Sequence, residues 1–441
     1  MSYWIVNTFG FGMAALCIWL INRIVRDPWN YVNIFSFFYA SGLAGSQIWF
    51  GVILESEYRL NEETLIIFFL SWWAFLCGSV LLLRGITPIS KVTVLKYIKK
   101  SNSRNALFFL IVANLIYNIV IWNVNGTFAA LAHMDLNFVD TMASNRVANS
   151  GDLSKGHVGW YFELWHIAYI YYVPLAMYMY RMGYTSKKFV TVVSAGGMIS
   201  SLILFSRIQF LMLLVVMFVT WTILFRPSRK VVLSKVAAIL SFAFLLFVGM
   251  QAFIAKNEIL PSESTITERV VTYAFSPLPS YQELLNGGYE EANPHEAFFT
   301  LQAMYYFAGK LGFLDAAEYP IGFREYVSAP YPTNVYTYLD AFTIDFGWAG
   351  AVIGSFIIGI FVAVIYRCLS AAIGFFTLMI YALSVYGCGV AMLTNMFIQH
   401  VFVLQIATVL VIHMLLTISV NSSKFASFDL NTESSSVANS G

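Results

Sequence analysis

Charge is what this sequence has least of. Only 11% of its 441 residues are Asp, Glu, Lys or Arg, against 59% hydrophobic and 17% aromatic residues. Soluble domains carry about a quarter charged residues, so a water-soluble globular fold is excluded and the composition is that of an all-α, polytopic integral membrane protein. Cysteine is scarce too: Cys17, Cys77, Cys368 and Cys388 all fall in or beside apolar runs and none lies in a long loop. That placement argues against a disulfide framework, and packing is the default role of each thiol.

Signatures of cofactor chemistry are also missing. The chain has no Walker motif, no GxGxxG and no G-x-S-x-G, which leaves ATP-driven transport and α/β-hydrolase chemistry unsupported. It has no Asp-x-Asp, which counts against metal-dependent nucleotide-sugar transfer, and its six histidines show no ligand-like pairing. No metal, other cofactor or nucleic-acid partner is expected. There is no internal repeat and no inverted pseudo-symmetry, which weakens a transporter reading, because many secondary transporters are built from such repeats.

What the chain does have is one apolar run after another. A helix needs about 20 apolar residues to cross the hydrocarbon. On that measure about 11 spans are expected, near residues 3–22, 31–54, 64–83, 105–123, 161–180, 189–205, 208–225, 236–254, 347–366, 372–393 and 401–420. The first run, from Tyr3 to Ile21, has neither a basic region before it nor a small-residue cleavage site after it, and is expected to be retained. Under this alternation 17 of the 25 Lys and Arg residues fall on one side, which identifies the cytoplasm and puts the N-terminus outside. The other 8 are Arg59, Arg146, Lys155, Arg207, Lys256, Arg269, Lys310 and Arg324.

The expected organisation is a transmembrane bundle over 1–254 with about 8 spans and an outer loop at 124–160, then a large outer loop over 255–345, about 3 further spans over 346–420, and a disordered cytoplasmic tail at 421–441. Chemistry is expected at the large loop, because it puts the most chain outside the bilayer in one place. Thr265-Ile266-Thr267-Glu268 has capping-box spacing, and Asn293-Pro294 suits an N-cap and first-turn proline for a helix from His295 to Gly309. Its aromatic residues suit the membrane interface, so the loop is expected to fold back on the membrane surface as amphipathic helices.

Arg207 opens an apolar run at the outer end of an expected helical hairpin. Two roles fit: a turn arginine snorkelling to the headgroups, or a guanidinium fork gripping a lipid-linked phosphate. Arg146 precedes Gly151, Gly156 and Gly159, with Lys155 and His157 beside them and Glu163 and His166 at the next span. Such a histidine is commonest as an interface residue, and Arg269 and Arg324 as solvated loop charges, yet together the four arginines would suit the two negative groups of a diphosphate. Glu163, Glu268, Asp340 and Asp345 are the candidate bases, and Asp345 is equally suited to capping a helix.

Three features resemble the bacterial oligosaccharide repeat-unit polymerases, the Wzy-type family of O-antigen and capsule biosynthesis. They are Ser206-Arg207 opening a span, the large late outer loop, and Asn334-Val335-Tyr336-Thr337 leading into Phe342-Thr343-Ile344-Asp345-Phe346-Gly347-Trp348-Ala349-Gly350. The resemblance implies a transferase joining undecaprenyl-diphosphate-linked oligosaccharides at the periplasmic face of the bacterial inner membrane. A chain-length regulator and a flippase of the same pathway would be its partners, beside membrane lipids. On that reading Arg207 and Arg146 grip the diphosphate with Arg269 and Arg324 behind them. Glu163 and Asp345 are candidates for acid–base work, and His157, Tyr273, Tyr281, Tyr305, Tyr306, Tyr331 and Tyr336 line a glycan groove. The rivals are an O-antigen ligase, which shares the large loop and lipid-linked donor, and a lipid-linked oligosaccharide flippase.

Overall fold

The computed structural model describes residues 3–25, 27, 30–49, 59–89, 92–95, 98–124, 165, 167–203, 207–228, 230–232, 234, 274–287, 298–314, 327–328, 332–333 and 336–433. Among them the fold is helical, apart from a two-residue antiparallel ladder pairing Val327–Ser328 (β1) with Pro332–Thr333 (β2). The helices are α1 (Tyr3–Val25), α2 (Tyr31–Ile48), α3 (Glu62–Leu83), α4 (Lys100–Val124), α5 (Tyr169–Arg181), α6 (Lys187–Ile203), α7 (Arg207–Phe225), α8 (Pro277–Leu285), α9 (Gln302–Lys310), α10 (Asp340–Ala371), α11 (Phe375–Gly389) and α12 (His400–Glu433). Among the described residues five helical stretches are long and apolar enough to cross a membrane: Trp4–Val25, Glu62–Leu83, Lys100–Val120, Asp340–Ala371 and His400–Thr417. Gln209–Phe225 and Phe375–Gly389 are shorter apolar helices.

Within the run expected over 161–180, a turn at Ile167 and Ala168 precedes helix α5, which begins at Tyr169; 161–164 and His166 lie outside the described residues. The run expected at 236–254 lies outside the described residues, as does the Thr265 capping box.

Sequence explains where each helix packs. Residues 169–179 are apolar or aromatic on every side and all are buried, as befits a helix surrounded by others. Accordingly α5 packs against α4, α6, α7 and α11, and α11 in turn joins that group to α2 and α10. The most extensive contact between described helices is that of α3 with α10. A side chain at Gly78 would collide with the Phe356 carbonyl oxygen and one at Gly359 with the Phe75 carbonyl oxygen. Each glycine thus admits the backbone of the other helix, the small-residue packing of helices that lack a hydrophobic drive between them. Ser79 Oγ donates across the same seam to Gly359 O at 3.4 Å.

Contacts between connections sort the bundle into two ends. At one, Tyr366 Oη donates to Asp27 Oδ2 at 2.9 Å, Tyr178 Oη to Leu95 O at 2.5 Å and Tyr184 Oη to Ile98 O at 2.9 Å. Leu95 N meets Ile373 O at 3.0 Å, and the Arg226 guanidinium donates to Val92 O. Arg23, Arg84, Lys99, Lys100, Arg104, Arg181, Lys187, Lys188, Arg226, Lys230 and Arg367 cluster in sequence around these junctions, so this is the basic end. The other end carries the starts of α3, α7, α10 and α12 and the described helices of the large loop, and is called the loop end below.

Candidate functional site

The described part of the large loop is tied to the helix ends by a polar layer. Helix α8 starts with Pro277 at its first position, where a missing N–H costs nothing. Its Tyr281 is fully buried, with the hydroxyl 2.7 Å from Thr343 Oγ1. Gln282 accepts from Asn61 N at 2.5 Å and donates to Arg59 O at 3.1 Å, while Asn61 Oδ1 caps α3 by accepting from Thr64 N at 2.8 Å. Asn61 Nδ2 reaches Asn286 Oδ1 at 3.2 Å, so the start of α3 and the end of α8 are joined at three points with the two bonds of Gln282.

Asp345 forms the second attachment. Its two carboxylate oxygens accept from Phe299 N at 2.8 Å and Thr300 N at 2.7 Å, capping the 3-10 turn Phe299–Leu301 that leads into α9. First-turn N–H groups have no intrahelical partner, and a carboxylate beside them meets both their hydrogen-bonding need and the positive end of the helix dipole. This corrects the expected helix from His295 through Gly309. Phe298 is extended (φ −74°, ψ 116°), the helical run begins at Phe299, and its cap comes from a residue 45 positions away. Asn293 and Pro294 lie outside the described residues.

The phrase around Asp345 now has a physical reading. Gly347 adopts φ 65°, ψ −165°, a region open almost solely to glycine, and breaks α10 into a short head and a long continuation. The head folds against the continuation, where a side chain at Gly350 would collide with the Phe342 carbonyl oxygen. Just before the head, Tyr338 is held by Ala391 O, Asn395 and Ser355 at 2.8, 2.9 and 2.6 Å. Burial keeps the Tyr338 hydroxyl protonated well above the usual tyrosine range despite the hydrogen bonds of Ser355 and Tyr39, so it serves as a neutral anchor. Asp340 is 8% exposed and accepts from Ala341 N at 2.6 Å.

The remaining expected site residues divide clearly. Arg207 is the first residue of α7, at the loop end, and two residues on Gln209 accepts from Tyr169 Oη at 3.2 Å. Tyr305 is half-buried, its hydroxyl accepting from Phe298 N at 3.3 Å. Tyr336 is 7% exposed within the core, and Tyr306 is 6% exposed, its ring stacked on His400 at 3.7 Å with Lys310 Nζ 5.5 Å away. A sugar-stacking tyrosine needs an open face. Tyr281, Tyr306 and Tyr336 instead spend their rings on packing the loop against the bundle. Arg146, His157, Glu163, Arg269, Tyr273, Arg324 and Tyr331 lie outside the described residues, as do His166 and Glu268.

Sequence reading missed Gln282, Asn61 and Asn395. The signal available for α8 was Ser276-Pro277 followed by Leu278, Tyr281 and Leu285 at helical spacing. Among the described residues no three His, Cys, Asp or Glu side chains converge as metal ligands. No protein-family model matches the chain, and no match was found among characterised proteins or solved structures.

Proposed function

We propose that this chain is an oligosaccharide repeat-unit polymerase of the bacterial inner membrane, crossing it about 11 times with its large loop in the periplasm. It transfers a growing glycan from undecaprenyl diphosphate to the non-reducing end of a newly arrived lipid-linked unit. The observation that carries the reading is the junction of loop and bundle. Thr343 and Asp345, within the segment that carries the resemblance, are where α8 and the Phe299 turn are fastened, at the end of the bundle opposite most of the described basic residues. Basic residues are retained on the cytoplasmic side. That assignment makes the loop end periplasmic and puts Arg207 at its rim.

The chemistry asks little of a cofactor. The donor's leaving group is already a lipid diphosphate, so the protein must neutralise its charge, orient the acceptor hydroxyl and take up a proton. Arg207 is the first choice for the charge, with Arg146, Arg269 and Arg324 behind it, and Glu163 is the candidate base. Asp345 acts as the cap that positions the loop. Among the described residues the charged side chains fall near helix ends and connections, which favours a surface transferase over a flippase with charges lining a pathway.

The test is electrophoresis of surface polysaccharide from a strain lacking this chain. A polymerase defect leaves single repeat units attached to the lipid core. A ligase defect leaves no attached unit, and a ladder of normal length would refute both.

A further inference from the structure

Away from the loop, at the basic end, a groove of about 510 Å³ opens between the start of α4, the turn after α5 and the start of α6. Its α4 wall is one helical stripe: Lys100 and Arg104 a turn apart, then Leu107, Phe108 and Ile111. Phe189 of α6 closes the apolar part, and the Tyr184 hydroxyl holds the rim by donating to Ile98 O at 2.9 Å. Among the described residues no Asp or Glu lines the groove, while Lys99, Arg181, Lys187 and Lys188 flank its rim in sequence. The α4 N-terminus adds the positive end of its dipole.

We propose that this groove binds one anionic phospholipid, its phosphate between Lys100 and Arg104 and one acyl chain along Leu107 and Ile111 against Phe189. The order of chemistry along the stripe is that of the ligand, charge at the helix end and apolar surface for about 10 Å further in. The apolar floor also runs on into the exposed face of α4, where Phe108, Leu115, Ile116 and Ile119 are 70%, 58%, 56% and 47% exposed. That face belongs to a helix long and apolar enough to cross a membrane, so lipid tails are what it meets. A basic pocket between such helices is suited to an anionic headgroup, and each Lys or Arg near the surface contributes about a fivefold gain in binding. The site lies at the opposite end from the proposed polymerase chemistry and does not depend on it.

The full-length protein in uncharged detergent, titrated with phosphatidylglycerol and read by native mass spectrometry, tests the assignment. Phosphatidylglycerol should be retained about 25-fold better than phosphatidylcholine. Lys100→Gln and Arg104→Gln should each lower its retention about fivefold and together about 25-fold, while Lys230→Gln, exposed at the same end but outside the groove, should leave it unchanged. Phe108→Ser with Phe189→Ser should weaken phosphatidylglycerol as well, since the tail loses its floor. Lys100 and Arg104 are exposed, so both Gln variants should keep the parent melting temperature in phosphatidylcholine micelles. Equal retention of the two lipids, displacement by equimolar inorganic phosphate, an equal loss from Lys230→Gln, or loss only in proportion to unfolded protein would each overturn the proposal.

Discussion

Replacing Asp345 by alanine removes both acceptors from Phe299 N and Thr300 N while leaving the rest of the α10 head in place. Hydrogen bonds to a charged group contribute about 1.5–3 kcal/mol each, but this carboxylate is half-buried and water can replace it in part. Loss of a helix-capping Asp costs about 0.5–2 kcal/mol. The upper end of that range applies here, because two charge-assisted bonds go at once, and about 2 kcal/mol corresponds to about a 30-fold rise in local opening. Asp345→Asn keeps one oxygen to accept one N–H, so about half the energy and about a fivefold rise are expected. Hydrogen–deuterium exchange over 299–310 measures this directly, with α3 amides as the unaffected reference. Unchanged exchange in Asp345→Ala would refute the capping argument. The same variants separate positioning from chemistry. A capping role makes polymer formation fall in step with the loosening of 299–310, whereas a reacting carboxylate loses activity in Asp345→Asn well beyond a fivefold loosening.

The α3–α10 seam predicts that Gly359→Val and Gly78→Val each reduce folded yield severely, since the new side chain meets backbone of the partner helix, whereas Gly12→Ala, with nothing within 4 Å, leaves it unchanged. Size-exclusion profiles of fluorescently tagged variants read both, and normal profiles for the valine variants would refute the close approach. For orientation, Leu311→Cys and Lys188→Cys, exposed at opposite ends, belong in a background where the exposed Cys77 and Cys368 are serine. An impermeant thiol reagent should label the former in intact spheroplasts and spare the latter, and equal labelling would overturn the topology. At Arg207, alanine should nearly eliminate chain extension at normal protein level and lysine should retain a measurable fraction, because lysine keeps the charge but not the planar fork. Normal polymer from Arg207→Ala would remove that residue from the site.

Local signals in the sequence were read well where local physics decides. The apolar runs at 3–22, 64–83, 208–225 and 347–366 sit within helices Tyr3–Val25, Glu62–Leu83, Arg207–Phe225 and Asp340–Ala371, because a run of that length has few alternatives to a helix. Long-range pairings were not legible. Asp345 looked equally suited to capping and catalysis because its partners, Phe299 N and Thr300 N, are brought to it by tertiary folding. Aromatic richness in the loop suggested sugar-stacking faces, but a tyrosine ring is also the largest apolar surface that can end in a satisfied hydroxyl. Tyr281 takes that role against Thr343, and Tyr338 does so against Ser355.

The segment 345–350 stood out in the sequence for a reason that the structure divides into three parts. Asp345 holds the turn at Phe299, Gly347 supplies a backbone conformation closed to other residues, and Gly350 lets the head of α10 lie against its own continuation. These parts act in series. The head is fixed to the bundle by Tyr338 on Ala391 and Asn395, and the loop is fixed to the head by Asp345. Any rotation about Gly347 that shifts the head must therefore either carry the Phe299 turn and α9 with it or break the cap. His400, stacked on Tyr306 at the start of α12, ties α9 to a second helix and opposes that movement. The described loop is thus restrained from two helices at once, which is the rigid support that the proposed site on this loop would require.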